Sequence, residues 1–200
     1  TIDCLAKLRR MTGWRELDSA ISKGLEFAAL FSHPDGSYGG HYGSRGTQHF
    51  YPHGMELLAD HDRRAADLAD AFLRSLQHKT VAAIDDERMF IHRLSNLIEA
   101  YLDWSPYMPV NPTLCQSFVK HLPQAGLVVR REGPLCTIIS AARGGVFKHF
   151  ANDGRVTNDC GIVVELEDGT VGTSQFHQVP VEFEFRIGND GQTVATIELV

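Results

Sequence analysis

The sequence predicts an α+β chain of more than one domain, with helices first and an antiparallel β-sandwich or sheet after them. Three observations predict it. Apolar residues recur at helical spacing from residue 1 to about 104. From about residue 125 the pattern changes to short alternating runs broken by Gly and Asp turns. Between them lies "SPYMPVNPTLC", whose three prolines mark a boundary. The expected division is a helical part over 1–104, a linker over 105–124 and an antiparallel β part over 125–200.

In the helical part, "WRELDSAISKGLEFAALFS" sets Leu17, Ile21, Leu25, Ala28 and Phe31 near one stripe. A second helix is expected over Tyr51 to Asp60, with Pro52 tolerated in its first turn. "DRRAADLADAFLRSLQ" makes a third, with Leu68, Phe72 and Leu76 spaced by four. A fourth starts near Asp85, an able N-cap, and Asp86 and Glu87 suit the positive end of its dipole. Its apolar face is expected to carry Ile91, Leu94, Ile98 and Tyr101. Its opposite face carries Arg88, His92, Asn96 and Glu99.

In the β part, "AGLVVRRE" and "LCTIISAA" flank Gly133 and Pro134, a turn signal. "GGVFKHF" follows, with a turn at Asp153 and Gly154. Asp168 and Gly169 sit between two runs rich in β-branched residues, a hairpin signal. "VEFEFRI" places Val181, Phe183, Phe185 and Ile187 on one face and Glu182, Glu184 and Arg186 on the other. "TVATIELV" reads as a strand cut at its end, and "TIDCLAKLRR" reads as mid-helix. The chain is therefore expected to be part of a longer protein, with its missing N-terminal part as a partner.

The 200 residues are 43% hydrophobic and 22% charged, ordinary for a soluble globular protein. A formal net charge of -6 argues against nonspecific nucleic-acid binding, which draws on clustered Lys and Arg. It leaves room for a local basic pocket. No apolar run approaches the roughly 18 residues of a membrane span. The four cysteines form no CxxC pair. Buried free thiols are expected, with Cys136 and Cys160 as the alternative pair for a disulfide.

The densest chemistry lies in "HPDGSYGGHYGSRGTQHFYPHG", residues 33–54, with three tyrosines, an arginine and four histidines among many glycines. The longer stretch "KGLEFAALFSHPDGSYGG" resembles the QW-type repeat of the α/α-toroid proteins, the terpene cyclases and their relatives. Lys23, Gly24, Phe27, Gly36 and Tyr38 match in order; Phe31 stands where the repeat has Gln, and Tyr38 where it has Trp. A single copy is visible and no DxDD-type acid motif is present. The resemblance therefore implies toroid helices and not cyclase chemistry. It also implies a buried Tyr38, whose replacement by Ala is expected to cost about 3–5 kcal/mol.

The whole layout is similar to the polysaccharide lyases of the heparinase II/III and chondroitin/alginate lyase type. There a helical toroid supplies a cleft lined with Tyr, His, Arg and Asn, and a β-sandwich closes it. The resemblance implies helical hairpins of a partial α/α toroid followed by an antiparallel β-sandwich, and an acidic polysaccharide or other glycan as partner. It implies no cofactor.

β-Elimination of a uronate needs a group to neutralise the carboxylate, a base for the C5 proton and an acid for the leaving oxygen. Tyr42 is the preferred proton donor, and His49 or His53 the base, because imidazole titrates near neutral pH. Arg45 suits the carboxylate through its planar fork, with Tyr51 beside it. Arg88, His92 and Asn96 share one helix face and add a second polar wall if that face lines the cleft. Trp104 and Tyr107 could stack on a sugar ring. Each reading has a plainer alternative. Tyr38 and Trp104 can simply pack, the histidines can sit at a helix start, and the Arg88 face can be solvated. His49 and His53, four apart with Glu56 beyond, could hold zinc only with a third ligand and a geometry that Pro52 disturbs, so no metal is expected. Two functions stay open: an acidic-glycan lyase, and a noncatalytic glycan-binding or structural unit.

Overall fold

The computed structural model describes the backbone of residues 1–43, 46–80, 87–106, 116–174, 181–187 and 193–199. The side chains of 87–90, 92, 181–185, 187, 193 and 195–199 lie outside the described set. The chain is α+β. It divides into a unit of residues 1–39 and 48–116 and a second unit of residues 40–47 and 117–200. No strand of the described residues precedes residue 118, and every strand pairing is antiparallel. No described helix is long and apolar enough to cross a membrane.

Among the described residues the first unit holds five α-helices: α1 (Ile2–Thr12), α2 (Asp18–Leu30), α3 (His53–Glu56), α4 (Arg63–His78) and α5 (Glu87–Leu102). α1 stops at Gly13, which takes a left-handed φ of 73° and returns its N–H to the Arg9 carbonyl. α4 starts at Asp62, whose carboxylate accepts the Arg64 N–H at 2.9 Å. The expected stripe of α2 faces inward: Ile21, Leu25 and Ala28 are buried with Met55, Ala65, Leu68 and Ala69, and Leu17 packs at the edge.

Two helix faces differ from expectation. Leu76 is half exposed on α4, whose buried side runs through Ala65, Leu68, Ala69, Phe72 and Ser75 instead. Small residues there let α4 approach its neighbours closely. On α5 the difference is a reversal. Ile91 and Tyr101 are 72% and 81% exposed and Ile98 is exposed too, whereas Arg93, Asn96 and Ala100 are buried. Polar pairing with α1 and α3 orients this helix, as described below, and it outweighs the burial of the apolar stripe. The second helix is also shorter than expected. α3 is a single turn after Pro52, followed by turns to His61.

The second unit holds a five-stranded antiparallel meander, β1 (Phe118–Leu122), β2 (Leu127–Glu132), β3 (Leu135–Ser140), β4 (Val146–Phe150) and β5 (Val156–Asp159), paired in chain order. β1 occupies the end of the stretch expected as linker; residues 107–115 of that stretch, with Tyr107 and Cys115, lie outside the described residues. Gly133, at φ 58°, turns β2 into β3 where the sequence signals it. Alternation in β3 buries Cys136, Ile138 and Ser140, against Val128 and Val129 of β2 and Val146 and Phe150 of β4. Two separate hairpins follow: β6 (Val163–Glu165) with β7 (Val171–Thr173), and β8 (Val181–Ile187) with β9 (Thr193–Leu199). Cys4, Cys136 and Cys160 are free thiols, Cys136 buried and the other two exposed.

Candidate functional site

The first unit carries a polar cluster beside a cavity. Gly54 makes the cluster possible. A Cβ at this position would lie 2.4 Å from the Asp3 Cα, so only glycine lets α3 meet the start of α1. His53, the residue before it, is 1% exposed. Its Nε2 lies 2.6 Å from an Asp103 carboxylate oxygen, which also accepts from Arg10 at 2.7 Å. Hydrogen bonds from His53 and then Arg10 hold the Asp103 carboxyl below its ordinary value. An ionised carboxylate only accepts, so Nε2 carries the hydrogen. The other ring nitrogen, Nδ1, is buried with no hydrogen-bond partner and sits 3.4 Å from Glu99 and 3.9 Å from Asp3.

Asn96 and Lys7 complete the cluster. The His53 backbone N–H donates to the Asn96 carbonyl at 3.1 Å, and the Asn96 amide donates to Asp3 at 3.0 Å. Lys7 donates to Glu99 at 2.7 Å and lies 3.3 Å from Asp3. Burial opposes the Lys7 charge, but its bonds to Glu99 and Asp3 outweigh that, and its pKa is raised. α1 thus contributes Asp3, Lys7 and Arg10, and the α5 end contributes Asn96, Glu99 and Asp103. Both sets recur at one-face helical spacing. That matched spacing is the sequence signal for the cluster; of its members, only His53, Asn96 and Glu99 stand out in the sequence reading.

Against this cluster lies a cavity of about 660 Å³. Asp3, Lys7 and Asn96 form part of its wall, and Phe27, Tyr38, His49, Phe50 and Tyr51 give it an aromatic lining. The His49 Nδ1 is shut from solvent and has no hydrogen-bond partner. Tyr38 is half-buried where full burial was expected, because its ring borders the cavity while packing on the core and on Phe50, centroids 5.3 Å apart. The turn that presents it is tightly held. Ser37 donates its N–H and hydroxyl to Asp35 at 3.0 and 2.6 Å, and the buried His33 ring meets the same hydroxyl at 2.7 Å. Gly36 has φ 78°, and a Cβ there would lie 2.3 Å from the Ala71 carbonyl oxygen.

The sequence-derived site residues divide as follows. His49, Tyr51 and Asn96 line the cavity, and His53 stands behind Asn96. Tyr42 belongs to the second unit, where it is buried with its ring against Gly40. Arg45 lies outside the described residues, and so do the side chains of Arg88 and His92. Trp104 is exposed. Glu56, weighed from the sequence only beside His49 and His53 for zinc, has a buried carboxylate oxygen with no partner, and burial raises its pKa to about 7. Among the described residues no three His, Cys, Asp or Glu side chains gather to hold a metal ion.

No family model matches the chain, and neither the curated proteins nor the solved structures contain a match.

Proposed function

We propose that this chain belongs to a carbohydrate-active protein of the polysaccharide lyase type, and that the cavity of its helical unit receives an acidic glycan. In this reading the helices are part of an α/α toroid and the strands part of a β-sandwich. The observation that carries the reading is the cavity itself: aromatic rings suited to sugar faces, with an imidazole and two phenols in the same lining.

His49 is the base, as the imidazole of the cavity lining. Tyr51 takes the proton donor's part that the sequence reading gave to Tyr42. His53 is enclosed and committed to Asp103, so it serves by holding α3 and Asn96 in place. In the reaction the base removes the C5 proton, that electron pair forms the C4–C5 double bond, and the C4–O bond breaks. The leaving oxygen takes a proton from the acid.

One observation favours a second reading, binding without chemistry. Lys7, the cavity-lining side chain with a positive charge, is already bound to Glu99 and Asp3. A screen of uronate polymers for the absorbance of an unsaturated product separates the two. The lyase reading expects product from at least one polymer and its loss in His49→Ala. Glycan binding with no product from any polymer leaves the noncatalytic reading.

A further inference from the structure

We infer that Tyr38 is a ligand-contacting residue of this cavity, where its hydroxyl binds a sugar hydroxyl while its ring backs the sugar. The inference rests on the carbohydrate reading of the cavity and adds to it a residue whose sequence context marks it as packing.

Three observations converge. Tyr38 lines the cavity together with His49. Its hydroxyl makes no hydrogen bond among the described residues, and the side chain is half-buried at the cavity edge, where a ligand can reach it. Burial also raises the pKa of this phenol, which keeps it a protonated donor. A sugar hydroxyl both donates and accepts, so a saccharide can pair with this phenol.

The surroundings fix Tyr38 in advance. Its backbone bridges Ser32, its ring leans on Phe50, and Phe50 stacks on Phe72 with centroids 5.2 Å apart. The turn before it is held by the Asp35, Ser37 and His33 bonds. A side chain held this way loses little entropy when a ligand arrives. Packing alone explains the ring and leaves the hydroxyl without a role.

The test is calorimetric titration of wild type, Tyr38→Phe and His49→Gln with oligosaccharides of hyaluronate, chondroitin, polymannuronate and cellulose. Chemical denaturation of each variant runs alongside. Tyr38→Phe keeps the ring and removes only the hydroxyl. It should weaken binding of the recognised oligosaccharide about three- to tenfold, the range of one lost hydrogen bond, with an unchanged denaturation midpoint. His49→Gln should also weaken binding. Equal affinity of Tyr38→Phe and wild type overturns the inference and leaves the carbohydrate reading standing. A weakening matched by an equal loss of stability also overturns it, in favour of packing. If wild type binds none of the four, the carbohydrate reading fails and this inference fails with it.

Discussion

The imidazole of His53 and the carboxylate of Asp103 meet at 2.6 Å across fifty residues of chain. The contact joins a one-turn helix to the end of α5, and Arg10 joins α1 to the same carboxylate. Helices short on apolar contact are held here by ionic hydrogen bonds.

Replacing Asp103 by Ala should therefore destabilise the helical unit by about 1–3 kcal/mol, because it leaves a buried imidazole N–H unsatisfied. The pH dependence has a definite sign. The Asp103 pKa is lowered in the folded state, so its stabilisation is present above the unfolded value. It is lost as pH falls through the lower folded value. Asp103→Asn should flatten that acid limb in denaturation measured across acidic pH.

Gly54→Ala should be worse than its single methyl suggests. The added Cβ meets the Asp3 backbone, which cannot rotate away as a side-chain tip can. Overpacking of this kind costs about 1–3 kcal/mol, and α3 should shift from α1. A melting temperature equal to that of the parent would show that the two segments do not approach so closely.

Glu56→Gln should stabilise the protein at alkaline pH. Its folded pKa of about 7 stands above the ordinary 4.5, so the folded state holds the proton more tightly. Stability attributable to this group falls as pH rises from about 4.5 to about 7. Discounted for its half exposure, the effect is on the order of 1 kcal/mol. Denaturation midpoints of parent and variant should diverge between about pH 4.5 and pH 7 and stay apart above it; a constant separation across that window would contradict the shift.

Tyr38→Ala should cost less than the 3–5 kcal/mol expected of a fully buried aromatic, about 1–3 kcal/mol. The ring still supports Phe50, but one side of it borders the cavity. Denaturation with and without Phe50→Leu checks the coupling.

The strand and turn pattern was plain in the sequence because glycine and aspartate mark β-turns locally: Gly133, Gly154 and Gly169 each turn the chain where expected. The α2 stripe was plain for the same reason, since period and burial agree. α5 was misread because periodicity registers apolar residues and not the partners of polar ones. Asn96 and Glu99 looked like a solvated or lumen face, yet Asp3, Lys7 and His53 are waiting for them. The cavity was legible in kind, through His49, Tyr51 and Asn96, but not in composition. Nothing local to residue 38 tells a packed tyrosine from one at a cavity edge.

The central claim is that a sugar occupies the cavity of the helical unit. A crystal structure of the protein with a bound oligosaccharide from the titration panel tests it most directly. The account predicts sugar density against Tyr38, His49 and Tyr51, with a sugar hydroxyl within hydrogen-bond distance of the Tyr38 hydroxyl. A well-ordered sugar elsewhere on the protein, with this cavity unchanged, would contradict it.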